Sequence, residues 1–179
     1  MSERLPSREQ ALQLLHKSWC SASVIKHCET VASLAMETAK ACRERGLNVD
    51  LELVEIGALL HDVGRSKTHT VHHAVVGAEM AKSLGLPKPI VSIIKRHVGG
   101  GIIASEAKRL GWPKDVYVPK TLEEKIVSYA DKLTEGAHRV PIEVTIKKFS
   151  KELSPAAAER VLRLHKEIMT LVGDCKCQK

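Results

Sequence analysis

Aromatic residues are scarce in this chain: one Phe, two Trp and two Tyr among 179 residues. A core of ordinary size must therefore be built from aliphatic side chains. Long apolar runs are missing too. None approaches the roughly 18 to 20 residues of a membrane span, and the N-terminal "MSERLPSREQ" lacks the apolar stretch of a signal peptide. These absences lead us to expect a soluble, cytoplasmic protein with no membrane partner. The five cysteines are an odd number without paired spacing, which argues against a disulfide framework. Cys20, Cys28 and Cys42 are expected as small core residues in a reducing compartment. The terminal Cys175 and Cys177 form a single pair with no second pair to complete a zinc site, and read as a tail.

The net charge is +7, and a basic balance attracts phosphate-bearing ligands. Clustered Lys and Arg interleaved with stacking aromatics are absent. A small phosphorylated partner is therefore expected and a sequence-reading nucleic-acid groove is not. The oligomeric state is not legible.

The hydrophobic pattern is helical almost throughout, which predicts an all-α, single-domain helical bundle over residues 1 to 179. Ser7 and Gln10 have capping-box spacing and open a helix over 7–19. A second helix over 22–45 carries Val24, Cys28, Val31, Ala35, Thr38 and Cys42 on one face, and Gly46 stops it. Asp50 caps a third, whose stripe of Val54, Gly57 and Ala58 runs on to His61, with Gly64 as its expected terminator. His73, Gly77, Met80 and Leu84 line up on a fourth, and Ile90, Ile94 and His97 on a fifth that ends in a triple glycine. The stretch over 99–120, with its glycines and prolines, reads as irregular, a candidate flap over the site. Thr121 and Glu124 form a capping box for a helix that places Val127 and Asp131 one turn apart. Ser154, Pro155 and Gly173 bound a closing helix.

The chemistry lies in what these stripes carry. His27, the pair His61 and Asp62, His73 or its neighbour His72, His97, and Asp131 all fall on apolar faces. His73 is preferred to His72 because it shares a stripe with Gly77 and Met80. Any one histidine would pass as an ordinary core residue. A buried carboxylate without a partner, however, costs several kcal/mol, so two inward aspartates require cations, and the nearby imidazoles point to metal ions. Mixed imidazole and carboxylate ligands suit a divalent transition metal (Fe, Mn, Co, Ni or Zn), with Mg a further candidate. One or two ions are expected, because an aspartate next to a histidine can bridge two cations about 3.5 to 4 Å apart.

A His, then His-Asp in "ALLHDVGRS", then a distant Asp in "SYADKL" resembles the HD-domain superfamily of metal-dependent phosphohydrolases over about residues 24–135. The resemblance implies that His27, His61, Asp62 and Asp131 hold a first metal. "HHAVVGAEMAKSLG" with "IIKRHVGG" resembles the dinuclear branch, which includes diadenosine tetraphosphate hydrolases, and implies that His73 and His97 hold a second. Val98 stands where cyclic dinucleotide phosphodiesterases of the HD-GYP type have a second consecutive histidine, and no Gly-Tyr-Pro is present, so cyclic dinucleotide hydrolysis is not expected.

The implied activity is hydrolysis of a nucleotide or related small phosphoester by a metal-activated hydroxide. His61 and Asp62 would be central to catalysis, with Arg65 and Lys132 as phosphate contacts. Lys67 and Arg96 are weaker candidates of the same kind. His16, His138 and His165 are expected outside the site, and Glu79 and Glu135 at solvated helix positions. The alternative is a nucleotide-binding sensor or scaffold without turnover.

Overall fold

The computed structural model describes residues 4–152 and 154–173, and the cysteine tail at 175–177 lies outside them. Nine α-helices are formed among the described residues, joined by turns, 3-10 segments and loops. Helix α1 (Arg8–Lys17) starts at the reciprocal Ser7–Gln10 capping box, and α2 (Ala22–Glu44) at Ser21, whose hydroxyl accepts from Val24 N. Asp50 caps α3 (Leu51–Leu60). Helices α4 (His73–Ser83), α5 (Lys88–Arg96) and α6 (Ala104–Arg109) follow, then α7 (Leu122–Lys132) behind the Thr121–Glu124 box. A two-residue hairpin, β1 (Thr134–Glu135) and β2 (His138–Arg139), leads to α8 (Ile142–Glu152) and α9 (Pro155–Val172).

The long α2 packs against α3 and α7, α3 also meets α5, α4 meets α5, and α8 pairs with α9. The core between them is aliphatic, with Leu15, Ile56, Leu59, Leu60, Ile90, Ile93, Ile94, Ile126 and Ile168 fully buried and Cys20, Cys28 and Cys42 among them. No helix of the described residues is long and apolar enough to cross a membrane.

Four local expectations change. Gly64 does not end α3. The helix stops at Leu60, and Gly64 lies inside a 3-10 turn (Val63–Ser66). Its lack of a side chain serves packing instead: a Cβ there would lie 2.0 Å from His73 O and 2.7 Å from Gly77 N, so the turn and α4 touch backbone to backbone. The 99–120 stretch is partly regular, with α6 inside it and a bridge between Ile102 and Tyr117. Trp112 and Tyr117 are buried there with Ala74 and Ala107 in a small satellite core. Leu84 caps α4 and is half exposed, off the buried stripe, and Glu135 belongs to the hairpin, not to a helix.

Candidate metal centre

Helix ends, not helix middles, supply most of the site. His61 and His97 directly follow α3 and α5, His73 begins α4, and Asp131 lies in the last turn of α7; His27 alone sits well inside a helix. The last carbonyls of a helix have no intrahelical partner. His61 Nδ1 donates to Ala58 O at 2.6 Å and His97 Nδ1 to Ile94 O at 2.7 Å, each using one of these carbonyls. His73 Nδ1 donates to Thr70 O at 2.7 Å, again three residues back, and His27 Nδ1 donates to Gly136 O, in the hairpin turn, at 2.8 Å. Four imidazoles are thus fixed in one tautomeric sense, with Nε2 directed to a common centre. Backbone carbonyls orient metal-binding histidines in this way.

The carboxylates divide that centre. Asp62 Oδ1 lies 3.0 Å from His73 Nε2 and 3.4 Å from His97 Nε2, while Asp62 Oδ2 lies 3.7 Å from both His27 Nε2 and His61 Nε2. Asp131 Oδ1 is 3.1 Å from His27 Nε2 and 3.5 Å from His61 Nε2. Two clusters result, His27–His61–Asp131 and His61–Asp62–His97, each compact enough for a single ion. His73 Nε2 and His97 Nε2 lie only 3.0 Å apart. With both Nδ1 atoms donating elsewhere, neutral rings would point two lone pairs at each other. Among the described residues, the buried side-chain polar atoms without a hydrogen bond are His61 Nε2 and Asp62 Oδ1. Orphaned acceptors facing one point fit a cation between them.

The electrostatics agree. Burial opposes ionisation of Asp62, but the facing imidazoles of His61, His73 and His97 outweigh it and hold the carboxyl well below its usual range. Burial likewise opposes Asp131, and the Lys132 ammonium and the His27 and His61 rings hold it well below. Burial pushes His97 down to about 4, so that at neutral pH it presents a lone pair. His27 moves the other way: burial lowers it, yet its hydrogen bond to Asp131 and the charges of Asp131 and Asp62 raise it overall. The Asp131 side of the centre favours positive charge.

All six metal-candidate residues therefore meet in one place, where His27, Asp62, His73, His97 and Asp131 line an open cleft of about 880 Å³ and His61 is fully buried beside them. His72 is excluded from it, because its Nδ1 accepts from Trp112 Nε1 at 3.0 Å. Arg65 and Lys132 line the cleft and are already paired, Arg65 Nε with Asp62 Oδ2 and Lys132 Nζ with Asp131 Oδ2, each at 2.5 Å. Arg96 belongs elsewhere: it donates to Glu124 Oε1 at 2.7 Å and to Val116 O, and like Lys67 it does not line the cleft. His165 is bonded to Tyr129, and His16 and His138 are exposed, outside the site as expected. Sequence reasoning missed Gly136, whose carbonyl orients His27, and Val144 and Phe149 of α8, which wall the cleft. For Val144 and Phe149 the one available signal was the amphipathic spacing of "IEVTIKKFSKE".

Comparison with known proteins agrees with this geometry. The HD domain family profile matches residues 24–136. An uncharacterized protein of Methanocaldococcus jannaschii is 46% identical over 166 residues, covering 92% of this chain and 98% of that protein. A tRNA (cytidine(56)-2'-O)-methyltransferase of Thermoplasma volcanium is 40% identical over 169 residues; the match covers 94% of this chain, which spans 48% of that enzyme's length. Among solved structures, the HD domain of the L. monocytogenes phosphodiesterase PgpH in complex with cyclic-di-AMP superposes with a TM-score of 0.53 at 18% identity, covering 94% of this chain and 99% of that one, a likeness of fold. With the family profile matching residues 24–136, well over half of the chain, and a helical fold to go with it, this chain belongs to the HD-domain superfamily.

Proposed function

We propose that the chain is a metal-dependent phosphohydrolase acting on a nucleotide or related small phosphoester. The observation that carries the reading is the set of four backbone-anchored imidazoles whose Nε2 atoms, with the two oxygens of Asp62, converge on one buried centre. In this reading His27, His61, Asp62 and Asp131 hold one divalent cation and His73 and His97 a second, with Asp62 shared, as in the dinuclear branch that includes diadenosine tetraphosphate hydrolases. Bound cations supply Lewis acidity toward the phosphoryl oxygens and toward water.

The chain's own residues do the rest. Nδ1 bonds to Ala58, Thr70, Ile94 and Gly136 carbonyls keep the imidazoles from turning away. Arg65 and Lys132 stand beside the carboxylates and place positive charge where a phosphoryl group would enter, stabilising the charge that spreads over it in the transition state. The side chains of His61 and Asp62 are at most 2% exposed, which excludes bulk water from the floor and strengthens each of these interactions.

Similarity to the Thermoplasma methyltransferase favours a second reading, in which the phosphoester belongs to RNA, and the +7 charge is compatible with it. Product analysis separates the readings. Protein loaded anaerobically with Mn or Fe is offered nucleoside mono-, di- and triphosphates, diadenosine tetraphosphate and tRNA, with Asp62→Ala run beside it. We expect metal-dependent turnover of a small nucleotide that falls at least about 100-fold in the variant. Cleavage confined to tRNA would select the second reading. Equal, negligible hydrolysis in both proteins would leave a nucleotide-binding module without turnover.

A further inference from the structure

The chain's few aromatics are mostly committed away from the cleft. Trp112 and Tyr117 fill the satellite core, Tyr129 faces His165, and Trp19 is 86% exposed on the turn between α1 and α2. Among the described residues lining the cleft, Phe149 is the only Phe, Tyr or Trp. It stands on α8 with Val140 and Val144 as apolar neighbours in the same wall, and it is half-buried.

The wall is wired to the metal centre through one residue. Lys132 Nζ lies 5.6 Å from the centroid of the Phe149 ring and donates to Asp131 Oδ2 at 2.5 Å. Thr145 Oγ1 donates to Lys132 O at 2.5 Å, which ties α8 to the end of α7 and fixes the ring relative to the carboxylate. One ammonium therefore joins a candidate metal ligand to the single aromatic face of the cleft. A ligand with an anionic group at the metal centre and a flat ring on Phe149 would have Lys132 between its two ends.

We propose that Phe149, extended by Val140 and Val144, is the base-binding wall of a nucleotide subsite, with Lys132 holding the phosphate-proximal oxygens between the base and the metal centre. This deepens the hydrolase reading and rests on it for the phosphate end alone. Stacking on an aromatic face tolerates any base, since every base has a π-face. No Asn or Gln is found among the described lining residues, so no side-chain amide reads the base edge. The stacking wall itself is indifferent between purine and pyrimidine, and the subsite discriminates against sugar phosphates that lack a base.

The test is calorimetric titration of the metal-loaded protein with AMP and with ribose 5-phosphate, for wild type, Phe149→Ala and Phe149→Leu. Wild type is expected to bind AMP about tenfold or more tighter than ribose 5-phosphate, and both variants to lose about that factor for AMP while keeping their affinity for ribose 5-phosphate. Equal binding of the two ligands by wild type would overturn the proposal. So would full AMP affinity in Phe149→Leu, which keeps apolar bulk without a ring, or an equal loss for both ligands in Phe149→Ala. Turnover is read separately on the same preparations. Absent hydrolysis would count against the phosphohydrolase and leave the comparison of the two ligands decisive for the wall.

Discussion

Each imidazole of the centre is held by a bond that any histidine at such a place can make, and the rarer requirement is on the residues that let the rings converge. Gly64 is the clearest case. Its Cα faces His73 O and Gly77 N so closely that no side chain fits, and that contact brings Asp62 and His73 within 3.0 Å. Gly64→Ala must separate the turn from α4. We expect it to destabilise the fold by about 3 kcal/mol or more, measured by urea unfolding, because the obstacle is backbone, not a side chain that can rotate away. Single residues of the site were readable because its residue types are chemically unusual on apolar stripes. The role of Gly64 was misread, since a glycine after a helical pattern signals termination at least as strongly as it signals close approach. His73 could be preferred to His72 from its stripe, whereas the hydrogen bond that occupies His72 comes from Trp112, forty residues on, and local pattern cannot reveal it.

Between elements, the end of α5 is tied to the start of α7 by a buried pair. Arg96 donates to Glu124 Oε1, and Glu124 Oε2 accepts from Lys120 N and, more weakly, from Thr121 N. Ser128 Oγ donates to His97 O at 2.8 Å, so α7 also steadies the residue that follows Arg96. Glu124→Gln removes the charge that Arg96 faces while keeping the shape. We expect a loss of about 3 kcal/mol in chemical denaturation, because the guanidinium is left largely buried without a counter-charge. A change below about 1 kcal/mol would show that the pair is solvated and weak. Capping boxes at Ser7 and Thr121 and the cap at Asp50 made the starts of α1, α3 and α7 legible. Helix α8 was not. Its first turns carry Ile142, Val144, Thr145 and Ile146, β-branched residues with low helix propensity, and packing against α9 overrides that preference. The order in the 99–120 stretch escaped for a related reason, since it rests on Trp112 and Tyr117 meeting α4 and not on periodicity.

For the whole molecule, the scarcity of aromatics is consistent with a core of Ile, Leu, Val and Ala, with His61, Asp62, His73 and His97 buried together at the candidate metal centre. Residues 24–136, matched by the HD domain family profile, supply all six converging side chains, while α8 and α9 contribute the far wall. The family was legible because its signature is spread over five helices in a fixed order. The substrate was not, since the wall that meets it carries ordinary residues such as Val144 and Phe149. The central claim is that the converging imidazoles and carboxylates hold divalent cations, and it is tested most directly by metal content per chain after anaerobic loading with Mn or Fe and removal of free ion, with wild type beside His73→Ala and Asp62→Ala. Wild type is expected to hold up to two ions, His73→Ala at most one, and Asp62→Ala to be strongly depleted. Substoichiometric metal in wild type, or the same content in all three proteins, would contradict that claim.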